Sequence, residues 1–349
     1  MTASGHFSVT GPAAYWYPVA WSTSIRAKPV AVRLFNTPLV VFRDAAGGAC
    51  ALLDRCPHRN TPLSLGRCVS GELECAYHGW RFSGDGICTK IPSLLNHRPK
   101  SSPARHATRF ACLEAQGLVW VWIKGEPGST RPYSIPGLND PHYVQIRYDA
   151  CFDATLYATA ENILDVPHTA FLHRGLFRGG SRRKRVTVQV SRGSDRAEAR
   201  FEGEERPSGL IGAVLAPQGG ELEHTDRFIM PGIAQVEYRL GERSHVVVTN
   251  LLSSRSDFET AMFTVVTLRL PIGTRLVRRL AEPLARRIVA QDADILEALT
   301  RTTREFGGER FASTELDVLG SSILKLLRWG EQGSSPAVPD EVRAVEMEI

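Results

Sequence analysis

Apolar and polar positions alternate with a period of two through much of the chain, the mark of strands with one face buried. Val30–Phe35, Leu39–Phe42 and Leu118–Ile123 are such runs, separated by Gly, Pro and Asn turns, and they predict a β-rich antiparallel domain over residues 14–135. A Gly- and Pro-rich connector, Gly125–Pro141, marks the boundary. Beyond it Tyr143–Tyr148, Val186–Val190, Ala197–Phe201, Ala234–Tyr238, His245–Thr249 and Phe263–Leu268 read as further strands, which predict one curved antiparallel sheet. The period changes to that of a helix twice. Leu156, Ala160 and Ile163 recur at helical spacing in Asp153–Asp165, and Ile288, Ile295, Leu296 and Leu299 form an apolar stripe on a late helix. The fold class is therefore α+β, with a second domain over 136–335 and a polar, acidic tail over 336–349 that is expected to be poorly ordered.

Composition adds limits rather than chemistry. A chain of 349 residues with 43% apolar content suggests about two domains, each with a real core. Met1–Pro12 has neither a basic nor an apolar leader region, and no apolar run is long enough to span a bilayer, so a cytoplasmic location is expected. The net charge of +5 is unevenly spread, with one basic run at Arg174, Arg178 and Arg182–Arg185 and another at Arg275, Arg278, Arg279, Arg286 and Arg287. Neither run is interleaved with stacking aromatics, which argues against nucleic acid; solvated faces, or a docking surface for an acidic electron-transfer protein, are the readings left.

Two short pairs carry the first chemistry. Cys56-Pro57-His58 and Cys75-Ala76-Tyr77-His78 each supply one thiol and one imidazole, separated by the length of a strand–loop–strand excursion. A zinc finger pairs like with like, whereas one cysteine and one histidine per loop suits a two-iron cluster with one all-Cys iron and one all-His iron, the Rieske arrangement. Cys56 and Cys75 would hold one iron of a [2Fe-2S] cluster, and His58 and His78 the other. Trp80 is expected to pack over the cluster. The other five of the seven cysteines, Cys50, Cys68, Cys88, Cys112 and Cys151, show no paired spacing and read as small buried hydrophobes.

A second constellation follows at Asn162, Asp165, His168 and His173. Five residues along an unbroken helix rotate two side chains about 140° apart, so His168 and His173 would not meet on one. Pro167 offers the remedy, because it removes a donor and should push Val166 out of helical geometry. Two imidazoles and one carboxylate on one face of an octahedron make the facial triad of non-haem Fe(II) oxygenases. Asp165 is near in sequence; Asp292 sits beside the apolar stripe of the late helix, although an isolated Asp there is usually a surface charge, and Asp294 should be solvated. His224 and His245 fall outside this pattern and read as structural or surface residues.

Cys56-Pro57-His58-Arg59 and Cys75-Ala76-Tyr77-His78-Gly79-Trp80-Arg81-Phe82 resemble the oxygenase type of Rieske domain, and neither loop has the extra cysteine of the respiratory type. The spacing N-x-x-D-x-x-H-x4-H at Asn162, Asp165, His168 and His173 is similar to the mononuclear iron motif of Rieske non-haem iron oxygenases. The resemblance implies Asp292 as the third iron ligand. It also implies that Asp165 bridges histidines of the two centres across a subunit contact in a head-to-tail homotrimer, with Asn162 near the iron but not a firm ligand. Electrons would come from a separate ferredoxin or flavin-dependent reductase, since no flavin or nicotinamide fingerprint is present. The expected activity is monooxygenation by O2, as hydroxylation, oxidative demethylation or desaturation. Gly86–Pro92 is similar to members that act on large lipophilic rings, so a hydrophobic cyclic substrate, sterol- or terpenoid-like, is expected, bound against the concave face of the sheet. Leu210–Pro217 is a candidate lining of the entrance. An aromatic O-demethylase, a ring-hydroxylating dioxygenase, and a Rieske electron-transfer or sensor protein with a lipophilic-ligand domain are the alternatives.

Overall fold

Three tight hairpins show how local sequence sets the first unit. Phe35-Asn36, Ser70-Gly71 and Gln116-Gly117 all have positive φ at both positions, the backbone of a two-residue turn whose twist matches its flanking strands. The computed structural model describes residues 8–92, 94–95, 102–173, 185–204, 222–241, 244–270, 274–333 and 341–348. The chain divides into a unit over Ala13–Ser134 and a unit made of Met1–Pro12 with Ile135–Ile349.

In the first unit the strands are β1 (Trp16–Trp21), β2 (Val30–Leu34), β3 (Thr37–Arg43), β4 (Ala49–Leu53), β5 (Arg67–Val69), β6 (Glu72–Glu74), β7 (Arg81–Phe82), β8 (Cys88–Lys90), β9 (Arg109–Ala115) and β10 (Leu118–Trp122). They form a six-stranded sheet in the order β1-β10-β9-β4-β3-β2 and a four-stranded sheet in the order β5-β6-β7-β8. β10 lies inside the larger sheet, and all five of its residues are buried, which is why Leu118-Val119-Trp120-Val121-Trp122 reads as an unbroken apolar run. A separate core of Val40, Phe42, Leu52, Leu63, Leu73 and Phe82 packs around Cys56 and Cys75.

The second unit contains β11 (Val144–Phe152), α1 (Leu156–Leu164), β12 (Arg185–Arg192), β13 (Arg196–Glu202), β14 (Leu222–Ile229), β15 (Ile233–Leu240), β16 (Ser244–Ser256), β17 (Glu259–Arg269), α2 (Thr274–Glu305), α3 (Gly320–Gln332) and β18 (Glu341–Glu348). The strands make one antiparallel sheet in the order β11-β17-β16-β15-β14-β13-β12-β18. One face is covered by helices: Leu156, Ala160 and Leu164 of α1, Leu296 of α2 and Ile323, Leu326 and Leu327 of α3 share a core with Phe201, Phe228, Leu252 and Met262 of the sheet. The N-terminal segment also belongs to this unit. The Glu331 carboxylate accepts from the N–H of Thr10 at 2.5 Å, the hydroxyl of Thr10 at 2.8 Å and the N–H of Gly11 at 3.1 Å. Ser8 donates to Glu309.

Three expectations need correction. The tail over 336–349 contains a strand: β18 pairs with β12 from Arg185↔Glu348 to Arg192↔Glu341. Its polar composition hides a period of two, with Val345 and Met347 buried at 7% and 4% exposure between exposed Ala344, Glu346 and Glu348. On α2 the buried face carries Leu296 and Thr300, with Val289 and Ala293 packed against the core, whereas Ile295 and Leu299 are exposed. Cys151 is exposed as well, beside Arg255 and Glu259. Arg185, Arg286 and Arg287 are exposed, as a solvated face requires; the rest of the first basic run and Leu210–Pro217 lie outside the described residues. No described helix is long and apolar enough to cross a membrane.

Candidate metal centres

The two Cys-His loops of the first unit are built alike. After β4, the N–H of Cys56 donates to the carbonyl of Thr61 at 2.8 Å, and the N–H of Asn60 donates to the carbonyl of Cys56 at 2.9 Å. After β6, Cys75 donates to Trp80 at 2.8 Å and Gly79 donates to Cys75 at 3.0 Å, with the same offsets. Each loop closes through a left-handed residue, Asn60 at φ 62° and Gly79 at φ 67°, positions that Asn and Gly tolerate. The repeated turn therefore presents one thiol and one imidazole from each loop.

Cys56 and Cys75 are 2% and 3% exposed, and burial pushes the Cys56 thiol up to about 11, against opposing hydrogen bonds from the backbone of His58 and Arg59. The rings of His58 and His78 approach with centroids 4.6 Å apart. His58 Nδ1 is buried and has no hydrogen-bond partner. The orphaned imidazole nitrogen is costly unless a partner takes it, and the two buried cysteines beside it offer soft sulfur donors, so the four side chains fit an iron–sulfur cluster. Trp80 stacks on His58 with centroids 4.6 Å apart and planes 5° apart, which fixes that ring and shields one of its faces.

The second centre forms where α1 stops. Thr155 caps the start of the helix by accepting from the N–H of Ala158 at 3.0 Å. The break falls at Asp165, at φ −88° and ψ 105°, and not at Val166, which keeps helical geometry at φ −71° and ψ −41°. The Asp165 carboxylate explains the difference: its Oδ2 accepts from the N–H of His168 at 3.2 Å and so caps the turn over Pro167–Ala170. That turn brings His168 beside His173, which the unbroken helix would have kept apart.

Asp292 of α2 completes the set. Nε2 of His168 and Nε2 of His173 are 3.3 Å apart, and Oδ1 of Asp292 lies 3.1 Å from the second and 3.7 Å from the first. Octahedral ligands at about 2.1 Å from a metal and at right angles stand about 3 Å from one another, so this spacing fits a facial triad. Asp292 Oδ1 is buried without a hydrogen bond of proper geometry, which also suits a cation. Among the described residues these three are the one group whose donor atoms all lie within 4.8 Å of one another, as ligands of a single metal ion would.

The surroundings tune these groups. Burial opposes charge on the His168 ring, but its contacts with Asp165, whose Oδ2 is 3.3 Å from Nδ1, and the charge of Asp292 outweigh burial and raise its pKa. Burial raises the Asp292 carboxyl, with His173 and His168 pulling the other way. The Asn162 side chain hydrogen-bonds Asp292. Three features were not evident in the sequence. Gln291 Oε1 lies 3.0 Å from His173 Nδ1. Burial, with Asp165 and Asp317 nearby, lifts the Glu161 carboxyl to about 7. His224, 1% exposed, lies flat between Phe201 and Tyr238, with Glu204 at 2.6 Å on one nitrogen and Asp226 at 3.0 Å on the other. His245 is also buried, at 7% exposure, between Tyr143 at 2.5 Å and Glu237 at 2.7 Å, so neither histidine is a surface residue. Spacing marks Asn162, Asp165, His168 and His173, whereas Gln291, Glu161 and His224 belong to no repeat or motif.

The sheet beside this centre has a distinct wall. Register places Val144, Leu268, Val246 and Tyr238 in one row across β11, β17, β16 and β15, then Ile146, Val266, Val248 and Val236, then Tyr148, Thr264, Asn250 and Ala234. None of these twelve side chains is charged. The first row and most of the second form a cluster separate from the helix-covered core, and Tyr148 belongs to both. Burial raises the Tyr148 phenol, with a smaller upward contribution from the Asp292 charge.

Comparison with known proteins assigns a family to each unit. Residues 15–101 match the Rieske [2Fe-2S] domain, and residues 152–328 match the vanillate O-demethylase oxygenase C-terminal domain. The chain is 37% identical over 169 residues to the chloroplastic chlorophyllide a oxygenase of Chlamydomonas reinhardtii, a match covering 48% of this chain and 25% of that one. It is 35% identical over 162 residues to the oxygenase component of dicamba O-demethylase from Stenotrophomonas maltophilia, covering 46% and 47%. These matches thus span from a quarter to about half the length of the curated relatives. Dicamba monooxygenase bound to dicamba superposes with a TM-score of 0.77 at 24% identity, over 91% of this chain and 97% of that one. Pseudomonas putida NdmA with caffeine does so with a TM-score of 0.74 at 23% identity, over 90% of each. With a Rieske domain model matching its first unit and an oxygenase domain model spanning the second, the chain belongs to the Rieske non-haem iron oxygenases, in the branch that carries a vanillate O-demethylase-type C-terminal domain.

Proposed function

We propose that the protein is a terminal oxygenase component that monooxygenates a neutral, hydrophobic cyclic substrate, with electrons from a separate ferredoxin or flavin-dependent reductase. Cys56, Cys75, His58 and His78 would hold the [2Fe-2S] cluster, and His168, His173 and Asp292 would hold one Fe(II). When bound, the cluster would supply electrons singly and the iron would supply the chemistry of oxygen activation. The residues do the rest. Asn162 orients the Asp292 carboxylate through its hydrogen bond. Asp165 holds the backbone of His168 and faces its ring, and is our candidate bridge to the cluster histidines of a neighbouring subunit in a homotrimer. A cytoplasmic location belongs to the same proposal and fits seven cysteines that are all free.

The uncharged wall carries the substrate reading. A carboxylated aromatic bound there would bury its anion with no cation among these twelve residues, a cost of several kcal/mol unless a partner is found. A ring bearing only a methyl, methoxy or carbonyl group fits without that cost. The C-terminal family favours oxidative demethylation within this class. The test begins with iron and acid-labile sulfide per chain on anaerobically purified protein; close to three irons and two sulfides is expected. Substrate-dependent oxygen uptake with a reconstituted reductase is then compared for neutral rings, such as sterols and methoxylated aromatics, and for aromatic acids. Turnover confined to the acids would overturn the substrate reading. Two irons, unchanged after Fe(II) is added back, would overturn the enzyme.

A further inference from the structure

We infer that Gln291 is a positioning residue of the mononuclear centre, its side-chain amide fixing the orientation and tautomer of His173. The inference rests on His168, His173 and Asp292 being the iron ligands. Gln291 and Asp292 are consecutive on α2, so one turn of helix holds both edges of a single imidazole: Asp292 Oδ1 is 3.1 Å from Nε2, and Gln291 Oε1 is 3.0 Å from Nδ1. His173 is 2% exposed.

The amide oxygen is an acceptor, so Nδ1 carries the hydrogen and the Nε2 lone pair is left facing Asp292 and the Nε2 of His168. The opposite tautomer would aim a hydrogen into the 3.3 Å gap between the two Nε2 atoms and close it to a cation. His168 is backed differently. Its Nδ1 lies 3.3 Å from the charged Asp165 carboxylate but makes no hydrogen bond of proper geometry with it, whereas the Nδ1 of His173 does with Gln291. Gln291 thus orients its ligand without adding a charge to the site.

The test is Fe(II) affinity of the full chain, measured by competition with a chelator, with the absorption and EPR of the Rieske cluster as a control for folding. Gln291→Leu is expected to weaken Fe(II) binding about 10–100-fold with the cluster signals unchanged. Gln291→Glu restores an acceptor at the same reach and is expected to recover the affinity, while shifting the EPR of the ferrous nitric oxide complex because it adds a charge behind His173. Affinity in Gln291→Leu equal to that of the unaltered protein would overturn the inference, as would failure of Gln291→Glu to recover what Gln291→Leu loses. If Gln291→Leu does not fold, Gln291→Met, close to Gln in shape but without the acceptor, gives the same comparison. An unaltered protein that binds no iron beyond the cluster's two would instead overturn the ligand assignment itself.

Discussion

Asp165 caps the turn after α1 and faces the His168 ring with the same oxygen. An Asn keeps an acceptor for the backbone N–H but loses the charge, so Asp165→Asn separates the two roles. We expect both iron centres to stay loaded and product formation to fall by about 10–100-fold, read as substrate turnover alongside iron content. Near-normal turnover would overturn the bridging role proposed for Asp165. Legibility at this scale follows spacing. His168, His173, Cys56, His58, Cys75 and His78 stand out because their spacing is that expected of metal ligands. Gln291 does not, since one amide beside a ligand is indistinguishable in sequence from any solvated residue of a helix.

At the scale of elements, alternation was a better guide than composition. The strands around Val186, Ala197 and His245 all pair in one sheet, as their period of two indicates. β14, Leu-Glu-His-Thr-Asp-Arg-Phe-Ile, was not evident because its inward positions hold His224 and Asp226, which no hydrophobic pattern would select. β18 was hidden in the same way by an acidic surround. Met347 is 4% exposed, and Met347→Ala should cost about 2–5 kcal/mol of stability, measured by urea denaturation. An unchanged midpoint would mean that the strand does not contribute to the core. The Pro167 break shows a further limit. Proline signals that helix geometry ends, but the residue that departs is chosen by the side chain able to cap the next turn, here Asp165.

At the scale of the whole molecule, buried charges set how stability depends on pH. Burial opposes the charge on His224, but Asp226 and Glu204 outweigh it and lift the ring to about 10. A folded pKa above the unfolded value of 6.5 contributes stability that is present below 6.5 and lost as pH rises through 10. Glu237 acts in the opposite direction: the His245 bond, against burial, and then Arg227 hold it at about 2, so its contribution is present above 4.5 and lost as pH falls through 2. Glu161, lifted to about 7, removes stability as pH rises from 4.5 through 7, so urea midpoints measured from pH 3 to 10 should be highest near 4.5 and fall towards alkaline pH. His224→Phe should flatten the alkaline limb and leave the acid limb in place; an unchanged alkaline limb would assign that slope elsewhere. The anchoring of Thr10 and Gly11 on Glu331 has a consequence of another kind. Because the segment before Ala13 belongs with Ile135 onward, the cluster-bearing unit is an insertion in the catalytic one, joined to it by two covalent strands. A single proteolytic nick would leave both halves tethered, and excising the catalytic unit as one polypeptide means splicing residue 12 to residue 135 rather than starting the chain after the boundary.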